Sequence, residues 1–325
     1  MQVLVTGANG FVGSALVRRL ATEGSHSITG AVRALTHVGA PLGAKYDTAL
    51  RWVELGDLVG AELAPNLLAG VDVVVHCAAR VHVMHEVDID PLAAFRAVNV
   101  NGTLRLAQAA VRAGVKRFVF LSSVKVHGES AGLGKPFSAN APLCPADPYS
   151  ISKMEAEIAL IALAAETGLE VVIVRPPLVY GPGVKANFHS MMLWLTRGVP
   201  LPLGAIRNRR SLVALDNLVD LVLVCLDHPC AVGQAFLVSD GEDLSTTELL
   251  RRLGVALGKP ARLIPVAPVL LSSAGALLGK RAVVERICGS LQVDIEKTRA
   301  LLGWSPLVSV DKALAMTAAD FVKRL

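Results

Sequence analysis

"VTGANGFVG", residues 5–13, overlaps a short apolar run, "QVLVT" (2–6), and leads into an amphipathic stretch, "GSALVRRLATEG" (13–24). Glycines at 7, 10 and 13 give the spacing G-x-x-G-x-x-G. Without a Cβ the backbone at such a turn can approach a ligand closely, and the free N–H groups of the helix that follows attract phosphate. The strand before and the helix after are what lift the triplet above chance. Together they predict a dinucleotide pyrophosphate held by Gly7, Gly10, Phe11, Val12 and Gly13, and a chain that opens with a βαβ unit.

Outward from that turn the same unit repeats. "SITGAV" (27–32), "RWVEL" (51–55), "VDVVVHC" (71–77), "RFVFLS" (117–122) and "EVVIVR" (170–175) are near-continuous apolar runs, as expected of strands covered on both faces. Helical patterns such as "NGTLRLAQAAVRAG" (101–114) lie between them. The alternation predicts an α/β fold with a Rossmann-type, doubly wound parallel sheet. After residue 176 Pro and Gly become frequent, and "FLVSD" (236–240) offers one last strand. The expected division is a dinucleotide domain over 1–176 and 211–240, and a smaller, mostly helical substrate lobe over 177–210 and 241–325.

Bulk properties exclude several classes. The 325 residues are 53% apolar, so a large core is available and disorder is not expected. No apolar run reaches the ~18 residues of a membrane span. The longest, "APVLLSSAGALLG" (267–279), reads as a buried helix or a loop-covering element, with membrane contact as the lesser alternative, and no membrane insertion is expected. Met1 and Gln2 lead straight into the first strand without a signal-peptide pattern, and the five cysteines show no Cys-x-x-Cys spacing. A reducing cytoplasm is the expected compartment. Net charge is only +5 and its densest patch is "RNRR" (207–210), with no aromatic platform beside it, so nucleic acid is not an expected partner.

The second strand ends in "GAVRAL" (30–35), where a carboxylate would be expected for a ribose 2′-hydroxyl. Val32 and Arg33 stand there instead, and a guanidinium suits a 2′-phosphate, so NADP(H) is the expected cofactor, with NAD(H) possible. In "GDL" (56–58), Asp57, beside Leu58, can bond the adenine amino group or cap the next turn. Further on, "YSISK" sets Tyr149 and Lys153 four apart on a helix, hence on one face. An ammonium beside a phenol stabilises phenolate. Acid–base work at neutral pH requires lowering the Tyr pKa by about 2–3 units, roughly 3–4 kcal/mol. Ser123 ends the fifth strand, at the sheet edge where such folds bind ligands.

Taken together, "TGANGFVG", "HCAA" (76–79), "VNVNGT" (98–103), "SSVKVHGE" (122–129), "YSISK" and "VRPPLVYGPG" (174–183) resemble, in order, the motifs of the extended short-chain dehydrogenase/reductases. These are nucleotide-sugar epimerases, dehydratases and reductases. The resemblance implies Ser123 as the hydroxyl that binds the reacting oxygen, Tyr149 as proton donor and acceptor, and Lys153 as the residue that lowers its pKa and holds the nicotinamide ribose. It implies Ala78, Ala79 and Pro176 along the cofactor, and Asn99 as a brace for the active-site strand. The 4,6-dehydratases of this family carry Asp-Glu after the catalytic Ser/Thr. Val124 and Lys125 stand here, and Val cannot move a proton, so dehydration is not expected. "NRRSLVALDNLVDLV" (208–222) resembles the diphosphate-binding segment and implies Arg210 there, with Arg286 as a second phosphate ligand and Asn187, in "VKANF", near the sugar. His82 and His85 could face the sugar; no metal site is implied. A narrower resemblance, to bacterial 4-ketoreductases of surface-polysaccharide pathways, implies NADPH-dependent reduction of a UDP-4-keto-6-deoxy-N-acetylhexosamine. The alternatives are a UDP-hexose 4-epimerase with tightly held NAD and, further off, a non-catalytic NADP-sensing protein. A homodimer is possible in either case.

Overall fold

The structure, a computed structural model, describes residues 1–37, 50–60, 63, 66–81 and 90–325. His82 and His85 lie outside the described residues. Strands β1 (Gln2–Thr6), β2 (Ser27–Val32), β3 (Leu50–Glu54) and β4 (Val73–His76) form half of a parallel sheet, with α1 (Phe11–Glu23) linking the first two. The other half follows a long helix made of α2 (Pro91–Arg96), a π-helical stretch over Ala97–Gly102, and α3 (Thr103–Arg112). It comprises β5 (Arg117–Leu121), then α4 (Pro148–Thr167), then β6 (Glu170–Arg175). The sheet order is 3-2-1-4-5-6-9, where β9 (Ala235–Leu237) closes one edge against β6. The expected doubly wound sheet is present, with the strand read at 236–240 beginning one residue earlier.

Alternation along the strands divides the core. Val3, Val5, Val73, Val75, Val119, Val172 and Val174 pack towards α1 and α6 (Leu215–Cys225). Leu4, Val74, Phe118, Phe120, Val171 and Ile173 face the other layer, where Leu106, Ala107, Ala156 and Leu160 of α3 and α4 meet them. Strands buried on both faces must be apolar at every position, which explains their continuous runs.

The C-terminal part is mostly helical, as expected, and also contains a small sheet. β7 (Leu178–Tyr180), β8 (Arg210–Ala214) and β10 (Asp243–Leu244) form a second, three-stranded sheet, with β8 parallel to β7 and antiparallel to β10. Residues 211–214, which the sequence pattern attaches to the dinucleotide domain, thus pair within this second sheet. Around it pack α5 (Ala186–Thr196), α7 (Thr246–Ala256) and α11 (Val310–Lys323), with Tyr180, Phe188, Met192, Leu250 and Phe321 in their core. α8 (Pro268–Leu277) corrects another expectation: it is not buried, and Gly275 is its one buried residue. It packs against α9 (Arg281–Cys288), and α10 (Glu296–Leu302) follows.

Candidate active site

The carboxyl edge of the large sheet opens into a cavity of about 650 Å³. Its floor is the glycine turn. Gly7 sits at φ +63°, and a Cβ there would lie 2.9 Å from the backbone nitrogen of Ala78. A Cβ on Gly13 would lie 2.2 Å from the carbonyl oxygen of Gly7, so the turn closes onto the helix only without side chains. Gly10 caps α1 with no side-chain hydrogen bond among the described residues, which leaves the opening amides to the cavity. Every residue expected to touch the cofactor lines this cavity: Gly7, Gly10, Phe11, Val12, Gly13, Arg33, Asp57, Leu58, Ala78, Ala79, Tyr149, Lys153 and Pro176. Asp57 also accepts a bond from the Val59 amide at 3.1 Å, so it shapes its own turn as well as facing the cavity.

Ser123 lines the same cavity. It caps a single helical turn, Val124–His127, its Oγ accepting from the Lys125 amide at 3.2 Å. It also bonds the Tyr149 phenol. Tyr149 is set by the start of α4, where Pro148 occupies the first turn and Asp147 and Ser150 form a reciprocal capping box at 2.8 and 3.1 Å. The edge of the Phe95 ring faces the phenol ring, centroids 6.1 Å apart. One turn further on, Lys153 is buried, donates to the Leu121 carbonyl at 2.8 Å and sits 4.4 Å above the Phe120 ring. Burial brings its pKa down to about 8.

The expected lowering of the Tyr149 pKa is not found. Burial, and then the Asp147 carboxylate, push the phenol up to about 12, and the Ser123 hydrogen bond works only partly against them. Lys153 holds the Leu121 carbonyl, so its ammonium is turned to β5.

Asn99 is a brace, but for different elements than expected. It sits in the π-helical stretch, where the wider turn presents its amide inward. Its Oδ1 accepts from the Arg80 amide at 2.8 Å, and its Nδ2 donates to the Arg80 carbonyl at 3.0 Å and to Ser152 Oγ at 2.9 Å. It therefore ties the loop after β4 to α4 rather than to β5. His127 packs near the strand end, stacked on Phe137 at 5.5 Å and 3.1 Å from Arg175. Arg175 forms a buried ion pair with Glu157 at 2.6 Å, joining the end of β6 to α4.

Of the expected substrate ligands, Ser123 lines the cavity, whereas Arg210, Arg286 and Asn187 do not. Arg210 donates to the carbonyls of Arg286 and Gly289, the latter at 3.3 Å, which brings the two arginines to one end of α9. Asn187 is exposed at the start of α5, next to Ala186 at φ 54°, a strained left-handed position for a residue with a Cβ. Two contributors were missed. Ser122 lines the cavity with a buried hydroxyl that finds no partner among the described residues. Lys125 bonds the helix-capping Asp147 at 2.7 Å. The D-P-x-S run at 147–150 was a capping signal that could have pointed to the second.

An orphaned hydroxyl, a glycine cradle and an uncapped helix start on one cavity fit a dinucleotide. A family model described as the NAD dependent epimerase/dehydratase family matches residues 3–239. The chain belongs to that family. Among its relatives is a UDP-glucose 4-epimerase of Vibrio cholerae, 45% identical over 322 residues, which are 99% of this chain and 95% of the relative. The UDP-glucuronic acid 4-epimerase of Bacillus cereus, solved with NAD, shares the fold with a TM-score of 0.79 at 21% identity, over 99% of both chains. The Bordetella bronchiseptica enzyme WbmG, solved in complex with NAD, matches at 25% identity and a TM-score of 0.77, covering 99% of this chain and 94% of its own. Among the described residues no helix of this family member is long and apolar enough to cross a membrane.

Proposed function

We propose that this family member is a nicotinamide-dependent oxidoreductase acting at C4 of a UDP-hexose, and that its reaction is 4-epimerisation. The observation that carries the first part is the convergence of Ser123, Tyr149 and Lys153 on the cavity floored by the glycine turn. The second part is supported by the near-full-length likeness to the Vibrio cholerae 4-epimerase. A bound dinucleotide supplies a hydride acceptor and donor. Gly7, Gly10 and Gly13 leave room for its diphosphate at the start of α1, and Ser122 offers a hydroxyl from the end of β5. Ser123 positions the sugar oxygen, and Tyr149 takes its proton or returns it. Lys153 steadies the nicotinamide ribose, and Arg210 with Arg286 would meet the UDP diphosphate where β8 reaches α9.

A second reading, NADPH-dependent reduction of a UDP-4-keto-6-deoxy-N-acetylhexosamine, is favoured by Arg33 at the cavity wall, where an NAD enzyme of this fold carries an acid. A phenol held protonated, as Tyr149 is, also suits a proton donor. One experiment separates the two. The purified protein is incubated with UDP-glucose or UDP-N-acetylglucosamine without added reductant, and the products are followed by NMR. Appearance of the C4 epimer, with NAD released on denaturation, is expected. No epimer, together with stoichiometric NADPH oxidation on the 4-keto sugar, overturns epimerisation and installs the reductase.

A further inference from the structure

α8 presents an anomaly. Val269, Leu270, Leu277 and Leu278 are 75%, 63%, 88% and 72% exposed on and just beyond a ten-residue helix. Single exposed leucines are ordinary, but several large apolar side chains exposed together on one short helix are normally covered. α8 leans on α9, and a Cβ on Gly275 would lie 2.6 Å from Val284 Cγ2, so the two helices form a closely keyed hairpin. The chain approaching it is anchored by backbone bonds, Leu201 N to the Arg262 carbonyl at 2.9 Å and Ile264 N to the Leu201 carbonyl at 2.8 Å.

The charge in the sequence flanking this helix is one-sided. Between residues 259 and 290 stand Lys259, Arg262, Lys280, Arg281 and Arg286 against Glu285, a net +4 out of the chain's +5. Glu285 pairs with Arg281 at 2.8 Å in an exposed contact. A second copy seated symmetrically on α8 would bring two such surpluses together. The complementary partner is apolar and anionic at once. α8 is about 15 Å long, half a bilayer's hydrocarbon thickness, so it fits the plane of an interface and not a span.

We propose that the α8–α9 hairpin seats the protein on an anionic lipid bilayer surface. Leu270, Leu277 and Leu278 enter the boundary between headgroups and acyl chains, and Lys280 and Arg281 meet the lipid phosphates. The attachment is peripheral and independent of the reaction assigned above. It places the membrane beside the end of α9 where Arg210 is held.

Flotation of the full-length protein with vesicles tests this, using mixed phosphatidylglycerol and phosphatidylcholine against phosphatidylcholine alone. Binding to the anionic vesicles should be at least about tenfold tighter and should weaken as salt is raised. Leu270→Glu/Leu277→Glu should abolish flotation without lowering Tm. Lys280→Glu/Arg281→Glu should remove its salt dependence. Wild-type protein that stays in the dense fraction with both vesicles overturns the proposal, as does equal flotation of the double-glutamate variant. Sedimentation equilibrium supplies a further check: a wild-type oligomer that the same variant dissociates would show that a second copy covers α8, and would also overturn it.

Discussion

Lys125 Nζ lies 2.7 Å from Asp147 Oδ2, and Asp147 caps the helix that carries Tyr149. Burial opposes ionisation of Asp147, yet bonds from Lys125 and the Ser150 amide hold its carboxyl below the usual range. The resulting carboxylate is, after burial, what pushes the Tyr149 phenol upward. Lys125 therefore offsets a field that works against phenolate. Lys125→Met should move the ascending limb of the pH–rate profile, which reports the phenolate, up by about one unit, and lower turnover below that limb about tenfold, with KM unchanged. Lys125→Arg should restore both. A variant with an unshifted profile would confine Lys125 to holding the cap.

In the proposed reaction the phenol is the group that moves the proton. Tyr149→Phe keeps the ring against Phe95 and removes only the hydroxyl. Turnover should fall by about 10²–10⁴ while dinucleotide affinity, measured by fluorescence titration, stays the same. Retention of full activity would remove Tyr149 from the mechanism.

Arg33 is exposed at the end of β2 and lines the dinucleotide cavity. A charge-assisted bond to a 2′-phosphate contributes about 1.5–3 kcal/mol, or roughly 10- to 150-fold in affinity. Arg33→Ala should weaken NADP(H) binding by that factor and leave NAD(H) almost untouched, as calorimetric titration of both would record. Equal affinities before and after the change would make Arg33 a solvated surface charge.

Much of this was legible in the chain because burial on both faces forces apolar runs, and the runs at 2–6, 27–32 and 170–175 coincide with strands. The glycine turn was legible because Gly13 closes on the Gly7 backbone within the turn and Gly7 itself sits at positive φ, against the Ala78 backbone, where a side chain is strained. The second sheet was not. β7 and β10 have three and two residues, and β8 begins at an arginine, so none carries a periodic signal. The exposure of α8 was equally invisible, since an apolar run of its length reads the same whether core or membrane covers it. The direction of the Tyr149 shift failed for another reason. Burial of the phenol, and then the Asp147 carboxylate, raise its pKa, and neither is read from the i, i+4 spacing of Tyr149 and Lys153; the Lys153 ammonium is itself held by the Leu121 carbonyl, remote in sequence.

His76 gives the fold a pH dependence of its own. The ring is fully buried at the end of β4, between Thr6 Oγ1 at 2.7 Å and Thr103 Oγ1 at 3.0 Å. Thr6 Oγ1 also accepts from the Ala78 amide at 3.2 Å, and each threonine hydroxyl can donate or accept, so either tautomer of the neutral ring is satisfied at both nitrogens. Burial, helped by the nearby Lys153 charge, brings the His76 pKa down from 6.5 to about 3. Between those values the unfolded chain holds a proton that the folded chain excludes. Stability is then complete above the unfolded pKa and declines as pH falls towards 3, by about 1.4 kcal/mol per pH unit. His127, kept low by burial and then by Arg175, acts in the same direction. His76→Gln can accept from Thr6 and donate to Thr103 without titrating. Urea unfolding between about pH 7 and about pH 4 should show a wild-type slope that the variant flattens by about one proton. Identical slopes would assign the acid sensitivity to His127 and the carboxylates, and would make the buried ring a packing element alone.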